Sequence, residues 1–409
     1  MQGRQNPTPR GRHAELFGVA AILATVWGTA PAWSQTSPAP SASKATPAIA
    51  ATDSAAPGPM IDSGILQTGC GTCGNGLLGR PSYGAGCTSG CSSGRCDSGC
   101  YPGRQACDGC CHADTFFGRV CGGLYECLCC PDPCYDPPHW LAVADAAFFV
   151  DAARPITQQR IRIDSAWDFH RPDRAEYFWA RQVNGKGPNF LVNSVDFEEV
   201  SLYTEAATGR VGVFIQVPYR EVEGDKVGDA QFTQSGFADL IVGTKSLLID
   251  CELLQLSFGF TTYIPTATAG KGLGTGHVSL EPALFLAVRV TPFTYLQYES
   301  AFWIPIGGDP TYQGEVWRNQ WSLNQILWQP AQNFQLIGTA EFNLWSVMGG
   351  FFTDETGASR GSHVSIFSAG PGIRAVLCDK FDIGVGSAFS LTGNHWAEET
   401  VRVEFRWRF

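Results

Sequence analysis

Val401-Arg402-Val403-Glu404-Phe405-Arg406-Trp407-Arg408-Phe409 is the stretch whose pattern decides the fold. Every odd position is apolar and every even one charged. A β-strand repeats its side chains every second residue, so all five apolar groups fall on one face and the four charges on the other. A helix would scatter both sets. Two architectures accept such a strand: an edge of a soluble sandwich, or a sheet whose apolar face looks outward.

The same alternation recurs upstream. Val211, Val213, Ile215, Val217 and Tyr219 share a face, as do Val278, Leu280, Leu284, Leu286, Val288 and Val290. So do Phe334, Leu336, Ala340, Phe342 and Leu344, and Phe381, Ile383, Val385, Phe389 and Leu391. The pattern predicts twelve strands, at 158–168, 195–207, 209–219, 236–249, 251–264, 277–291, 293–305, 316–329, 332–345, 363–377, 380–391 and 398–409. Between them, short turns (207–210, 249–252, 291–293, 329–332, 377–380) alternate with long Gly/Pro-rich loops (169–194, 220–235, 265–276, 306–315, 346–362). That alternation belongs to an up-and-down antiparallel transmembrane β-barrel, with short turns on one side of a membrane and long loops on the other. A sandwich has no reason to segregate its turns. An aromatic strand ending on Phe409 likewise resembles the closing strand of bacterial outer-membrane barrels. The expectation is therefore an all-β transmembrane barrel of about twelve strands, or fourteen if 140–150 and 175–181 add two. Trp303, Trp317, Trp321, Trp328, Trp345, Trp396 and Trp407 are expected to form interfacial girdles at strand ends.

Composition agrees. Charged residues make up only 16% of the 409, aromatics reach 12%, and there are 47 glycines, which suits a β-protein with much apolar surface. A net charge of −10 argues against a nucleic-acid partner, because phosphate binding needs a concentrated positive face. No apolar run of about 18 residues, the length of a helical span, lies beyond the N-terminus.

Residues 1–34 read as a signal peptide: basic Arg10 and Arg12, an apolar stretch from Leu16 to Trp27, then small residues up to Ser34. Residues 35–69 are an Ala/Ser/Pro-rich linker with too little apolar surface to offset the entropy of ordering. The segment 70–134 holds fourteen of the sixteen cysteines: Cys70, Cys73, Cys87, Cys91, Cys96, Cys100, Cys107, Cys110, Cys111, Cys121, Cys127, Cys129, Cys130 and Cys134. In an exported protein an even number of cysteines reads as a disulfide framework, whose pairing spacing alone does not give. Cys70-x-x-Cys73 and Cys107-x-x-Cys110 also admit a tetrahedral metal, though the irregular spacing disfavours it. Residues 140–157 form an apolar lead-in to a barrel spanning 158–409.

If the apolar faces look at lipid, the alternate positions face the lumen. The leading lumen-facing candidates are Asp239, Lys245, Glu281, Arg289, Glu299, Glu341, Arg374, Arg402, Glu404 and Arg406. Arg160, Arg162, Arg408, Asp164 and Glu205 complete a set in which the two signs nearly balance. Such charges either knit into ion-pair networks that fill the interior or line water and tune what passes. His277 with Ser279, and His363 with Ser365, are the pairings nearest to a nucleophile and its base, but each stands at a loop edge. No catalytic residue, cofactor or metal site is assigned, and the chain is expected not to be an enzyme.

The run Gly236-Phe237-Ala238-Asp239-Leu240-Ile241-Val242-Gly243-Thr244-Lys245, followed by Tyr263-Ile264-Pro265-Thr266 and Gly272-Leu273-Gly274-Thr275-Gly276, resembles the outer-membrane transporter family of the meta-pathway phenol-degradation type. Ala267 stands where that pattern usually has Gly. The stretch Pro172–Ala180, together with the cysteine-rich segment, resembles uncharacterised planctomycete envelope proteins. The resemblance implies a channel or transporter in the outer membrane of a Gram-negative-type bacterium, passing small aromatic or apolar solutes. The alternative is a structural envelope barrel whose cysteine-rich segment crosslinks to other envelope proteins.

Overall fold

The computed structural model describes residues 142–226, 232–251, 253–331 and 333–409. The expected signal peptide and linker, and all fourteen cysteines of 70–134, lie outside these residues. The strands are β1 (Gln158–His170), β2 (Val192–Thr208), β3 (Val211–Lys226), β4 (Phe232–Phe237), β5 (Leu240–Asp250), β6 (Leu254–Ile264), β7 (Val278–Thr291), β8 (Thr294–Ile306), β9 (Val316–Ala331), β10 (Phe334–Val347), β11 (Phe351–Asp354), β12 (Gly357–Arg360), β13 (Val364–Leu377), β14 (Phe381–Ser390) and β15 (Glu399–Arg408). Each barrel strand pairs antiparallel with its neighbour, and β1 pairs with both β2 and β15, so the ring closes on twelve strands. β4 adds a short extension against the loop end of β3, and β11–β12 is a hairpin inside the β10–β13 loop. Neither expected extra strand forms. Residues 174–176 make a short 3-10 turn, as do 142–145.

The C-terminal strand seals the ring. Gln158↔Arg408 through Trp167↔Glu399 fix its register on β1, and Phe381↔Trp407 through Phe389↔Glu399 fix it on β14. Closure removes the open edge that a soluble sheet would have to protect.

Burial is inverted relative to a soluble fold. The apolar face of β3 is exposed (Val213 53%, Ile215 42%), as are Ile383 at 54% and Trp328 at 58%. The polar faces are enclosed: Glu205, Glu404 and Arg406 are each 1% exposed and Arg374 and Asn324 are inaccessible. Trp317, Trp321, Trp328 and Trp407 lie on the outer surface, as the girdle expectation requires. Trp303, Trp345 and Trp396 do not meet it, because they pack inward. Strand parity puts Trp303 on the inward face with Glu299 and Ala301, and Trp345 on that of Glu341 and Asn343. There they pack with Tyr177, Phe169 and Phe197 across the loop end of the lumen.

Candidate functional site: a threaded lumen

Residues 142–157 do not lead up to the barrel from outside. They run through its interior as a strap at the end where the short turns lie. Ala142, Val143, Ala146, Ala147, Phe148, Val150 and Ala153 are all buried. A single strand inside a ring has no ladder partner, and its enclosed N–H and C=O groups must still be hydrogen-bonded. Lumen side chains supply those bonds, sorted by sign. Carboxylates and an amide oxygen take the N–H groups: Phe148 and Phe149 donate to Glu341 Oε1 and Oε2 (both 2.8 Å), Asp151 to Glu299 (2.9 Å), Ile156 to Glu205 (3.2 Å) and Ala147 to Gln297 (3.2 Å). Cations take the carbonyls: Arg374 donates to Ala146 (3.0 Å) and Ala147 (3.2 Å), Arg402 to Phe148 (2.6 Å), Lys245 to Ala152 (2.7 Å) and Arg406 to Asp145. The near balance of lumen charge thus has a specific cause, because a peptide chain presents both polarities.

Phe148 fixes the strap's position. Its ring lies over a floor of three glycines, where an added Cβ would stand 2.6 Å from the ring at each of Gly372, Gly384 and Gly386. Arg374 covers the other face at 4.2 Å.

Beside the strap the charges form one connected cluster. Glu404 contacts Arg374 (2.7 Å), Arg162 (3.2 Å), Arg160 (3.4 Å) and Arg406 (3.8 Å). Asp382 joins Arg374, Arg406 and Arg408, and Asp145 of the strap joins Arg406 (2.9 Å) and Arg408 (3.3 Å). Arg402 grips Asp164 with two bonds of 2.6 and 2.8 Å.

Beyond the strap a cavity of about 230 Å³ remains, lined by Phe149 and Asp151 of the strap, by Arg160, Arg162, Arg220, Lys245, Glu281, Glu299, Arg318 and Arg402, and by Tyr203, Phe214, Phe285, Trp345 and Trp396. Tyr177, from the loop after β1, also lines it. Of the ten leading lumen-facing candidates, Lys245, Glu281, Glu299 and Arg402 border this cavity. Glu341, Arg374, Glu404 and Arg406 are buried below it against the strap. Arg289 is half-buried near the short-turn end of β7. Asp239 stands apart. The break between β4 and β5 interrupts the alternation there, and its carboxylate accepts from Ala267 N (3.1 Å), Thr275 N (2.9 Å) and Thr275 Oγ1 (3.1 Å), pinning the β6–β7 loop. The Gly-rich motif that carried the family resemblance is the partner of that pin.

Asp382, Asp145, Phe148, Arg318 and Tyr177 complete the lumen without having been singled out. Asp382 could have been found by parity, since it alternates with Phe381 and Ile383. The others lie on loops, on the strap, or among the polar residues of β9, where no alternation distinguishes them.

The histidine pairs separate. Ser279 Oγ lies 3.3 Å from His277 Nδ1, and His277 Nε2 lies 3.0 Å from Glu176 Oε2. Yet the same Nδ1 is 3.1 Å from the Val278 carbonyl, which can only accept, so a proton on Nδ1 leaves no lone pair to activate Ser279. Ser279 is also inaccessible and does not border the cavity. His363 and Ser365 are both exposed at the start of β13.

In the β1–β2 loop, Asp173 is fully buried and accepts from Thr353 N (3.1 Å), holding the β11 hairpin down. Burial raises its carboxyl to about 6. Its folded pKa stands above the ordinary 3.8, so this anchor contributes fully below about pH 4 and weakens as pH rises through about 6. Asp173→Asn keeps the acceptor without the charge. It is expected to slow amide exchange in residues 171–191 at pH 7, by up to ~2–3 kcal/mol of local opening, and to abolish the pH dependence. Unchanged exchange would show that the carboxylate carries no strain there.

No family model and no curated protein matches the chain. Solved structures of similar shape include an outer-membrane channel from Pseudomonas putida F1 (11% identity, TM-score 0.42, covering 64% of this chain and 97% of that one). The KdgM porin (8%, 0.34, 62% and 99%) and the translocator domain of the autotransporter NalP from Neisseria meningitidis (12%, 0.36, 66% and 92%) are also similar.

Proposed function

We propose that this protein is an outer-membrane channel for small solutes that rests closed, with residues 142–157 as its plug. The observation that carries the reading is the division of the lumen. Its charges are spent on the backbone of a threaded segment that is continuous with the barrel only at Gln158, while a cavity is left on the loop side. A barrel built only as an anchor could fill its interior with its own side chains. A threaded segment is a filling that can leave. The exposed apolar exterior supports a lipid environment, and the signal sequence supports export, with the short turns in the periplasm and the long loops outside. The aromatic and polar lining supports small aromatic or apolar solutes carrying a polar group. The protein needs no cofactor and performs no catalysis in this reading. The cysteine-rich segment is positioned before the plug to tether it, or to crosslink it to other envelope proteins.

Gly386→Leu tests the gating. The nearest atoms to a side chain at 386 all belong to Phe148, so the substitution removes the plug's socket without touching the ladder. In planar bilayers the wild type should show sparse openings and Gly386→Leu frequent ones. Equal silence from both would favour the structural barrel, and wild-type protein that stays monodisperse without detergent would overturn the membrane assignment.

A further inference from the structure

A second, smaller cavity of about 20 Å³ adjoins the first at its loop end and shares Tyr177, Trp345 and Trp396 with it. Phe169, Val316, Val347 and Ile366 supply its apolar walls, and no carboxylate lines it. What does line it is a set of hydrogen-bond donors. Arg174 is 7% exposed, and its Nε, Nη1 and Nη2 make no hydrogen bond. The indole nitrogens of Trp345 and Trp396 are buried and equally unbonded, as is Nδ1 of His170. A guanidinium and an indole can only donate.

The neighbouring charges compensate Arg174 only in part, through the field of Asp173. Among the described residues no carboxylate lies within ion-pair distance of it. Asp173, next in the chain, directs its Oδ2 to Thr353, and Asp168 is turned to His395 at 3.3 Å. Arg171 adds a second positive charge from its place over the Phe352 ring at 4.0 Å, and Arg174 lies 5.9 Å from the same ring. Burial lowers the guanidinium pKa to about 10, which still leaves it charged at neutral pH. A buried cation with three unused donor atoms, beside two further unused N–H groups, is a costly arrangement in an apolar pocket. The volume suits one small group, such as a halide ion or a single carboxylate oxygen.

We propose that this pocket binds a compact monovalent anion, either a free halide or the carboxylate head of a small organic acid, with Arg174 as the principal ligand and Trp345 and Trp396 as supporting donors. Sitting where the β1–β2 loop meets the aromatic cluster, the bound anion would hold the loop end of the lumen together and screen for negatively charged solutes on their way to the cavity. Binding itself does not depend on conduction, so it is tested separately from the channel reading.

The experiment is chloride NMR line broadening with the full chain in detergent, with folding of each variant checked by heat-modifiable migration on gels. Wild type should give saturable excess broadening, and Arg174→Gln should weaken it about tenfold or more, the loss expected for charge-assisted hydrogen bonds. Trp345→Phe and Trp396→Phe, which keep an aromatic ring but remove the indole N–H, should each weaken it several-fold and keep the test open if Arg174→Gln does not fold. Displacement of chloride by acetate would identify carboxylates as ligands, and chloride binding that acetate leaves unchanged would restrict the site to halides. Absence of saturable broadening in the wild type would overturn the proposal. So would wild-type affinity in Arg174→Gln, or in both tryptophan variants.

Discussion

Deleting residues 142–157 is expected to turn a mostly closed barrel into one that conducts steadily. The strap is held by eleven contacts between lumen side chains and its backbone, running from the Asp145 carbonyl to the Ile156 N–H. Each is worth roughly 0.5–3 kcal/mol depending on whether a charge takes part, so thermal fluctuation alone should expel the strap rarely. Once it is gone, Glu341, Lys245, Arg374 and Arg402 face water, which hydrates them and carries ions. Single-channel recording should therefore change from sparse openings to sustained conductance, while the barrel keeps its heat-modifiable gel migration, because the strands lose little beyond the bonds from Phe409 N–H and Ala207 N–H to Thr157. A deletion variant that folds and stays silent would mean that the loop end is sealed independently, and the plug reading would fail.

The second large effect is on stability. Glu404→Gln preserves shape but removes the carboxylate shared by Arg160, Arg162, Arg374 and Arg406. Replacing a buried ion pair outright is often neutral, but removing one partner leaves the others uncompensated, at about 3–5 kcal/mol. The temperature at which the folded band disappears on gels should fall markedly. Glu404→Gln combined with Arg162→Leu should recover part of the loss by restoring charge balance, since the two side chains face each other in the β1–β15 register. Equal melting of the single variant and the wild type would show that lumen water already screens the cluster.

The barrel was legible in the chain because its cause is local. Period-two alternation is a property of consecutive residues, and in β3, β7, β10 and β14 it assigned both the strands and their two faces. Turn length is local too, and its alternation distinguished an up-and-down ring from a sandwich. The β4–β5 region was less legible. A break at Ala238–Asp239 shifts parity there, which is why Asp239 reads as a lumen residue and stands as a loop pin. Trp303 and Trp345 show a related limit, because chemistry suited them to an interface while strand parity, followed strictly, placed them inside; Trp396 lies on the β14–β15 loop, where no parity applies.

What the amino-acid sequence determined by itself is therefore the ring: strand number, direction, and the sign of each face. The course of residues 142–157 was decided only in three dimensions. Nothing in Ala142-Val143-Ala144-Asp145-Ala146-Ala147-Phe148 distinguishes a lead-in from a plug. Its location depends on Glu341, Arg374 and Arg402, some two hundred or more positions away in the chain, and on a floor of three glycines from two adjacent strands. The anion pocket has the same origin. Arg174, Trp345 and Trp396 come from two loops and a strand that share no pattern, and they meet only because closure of the barrel brings its loop ends over one opening.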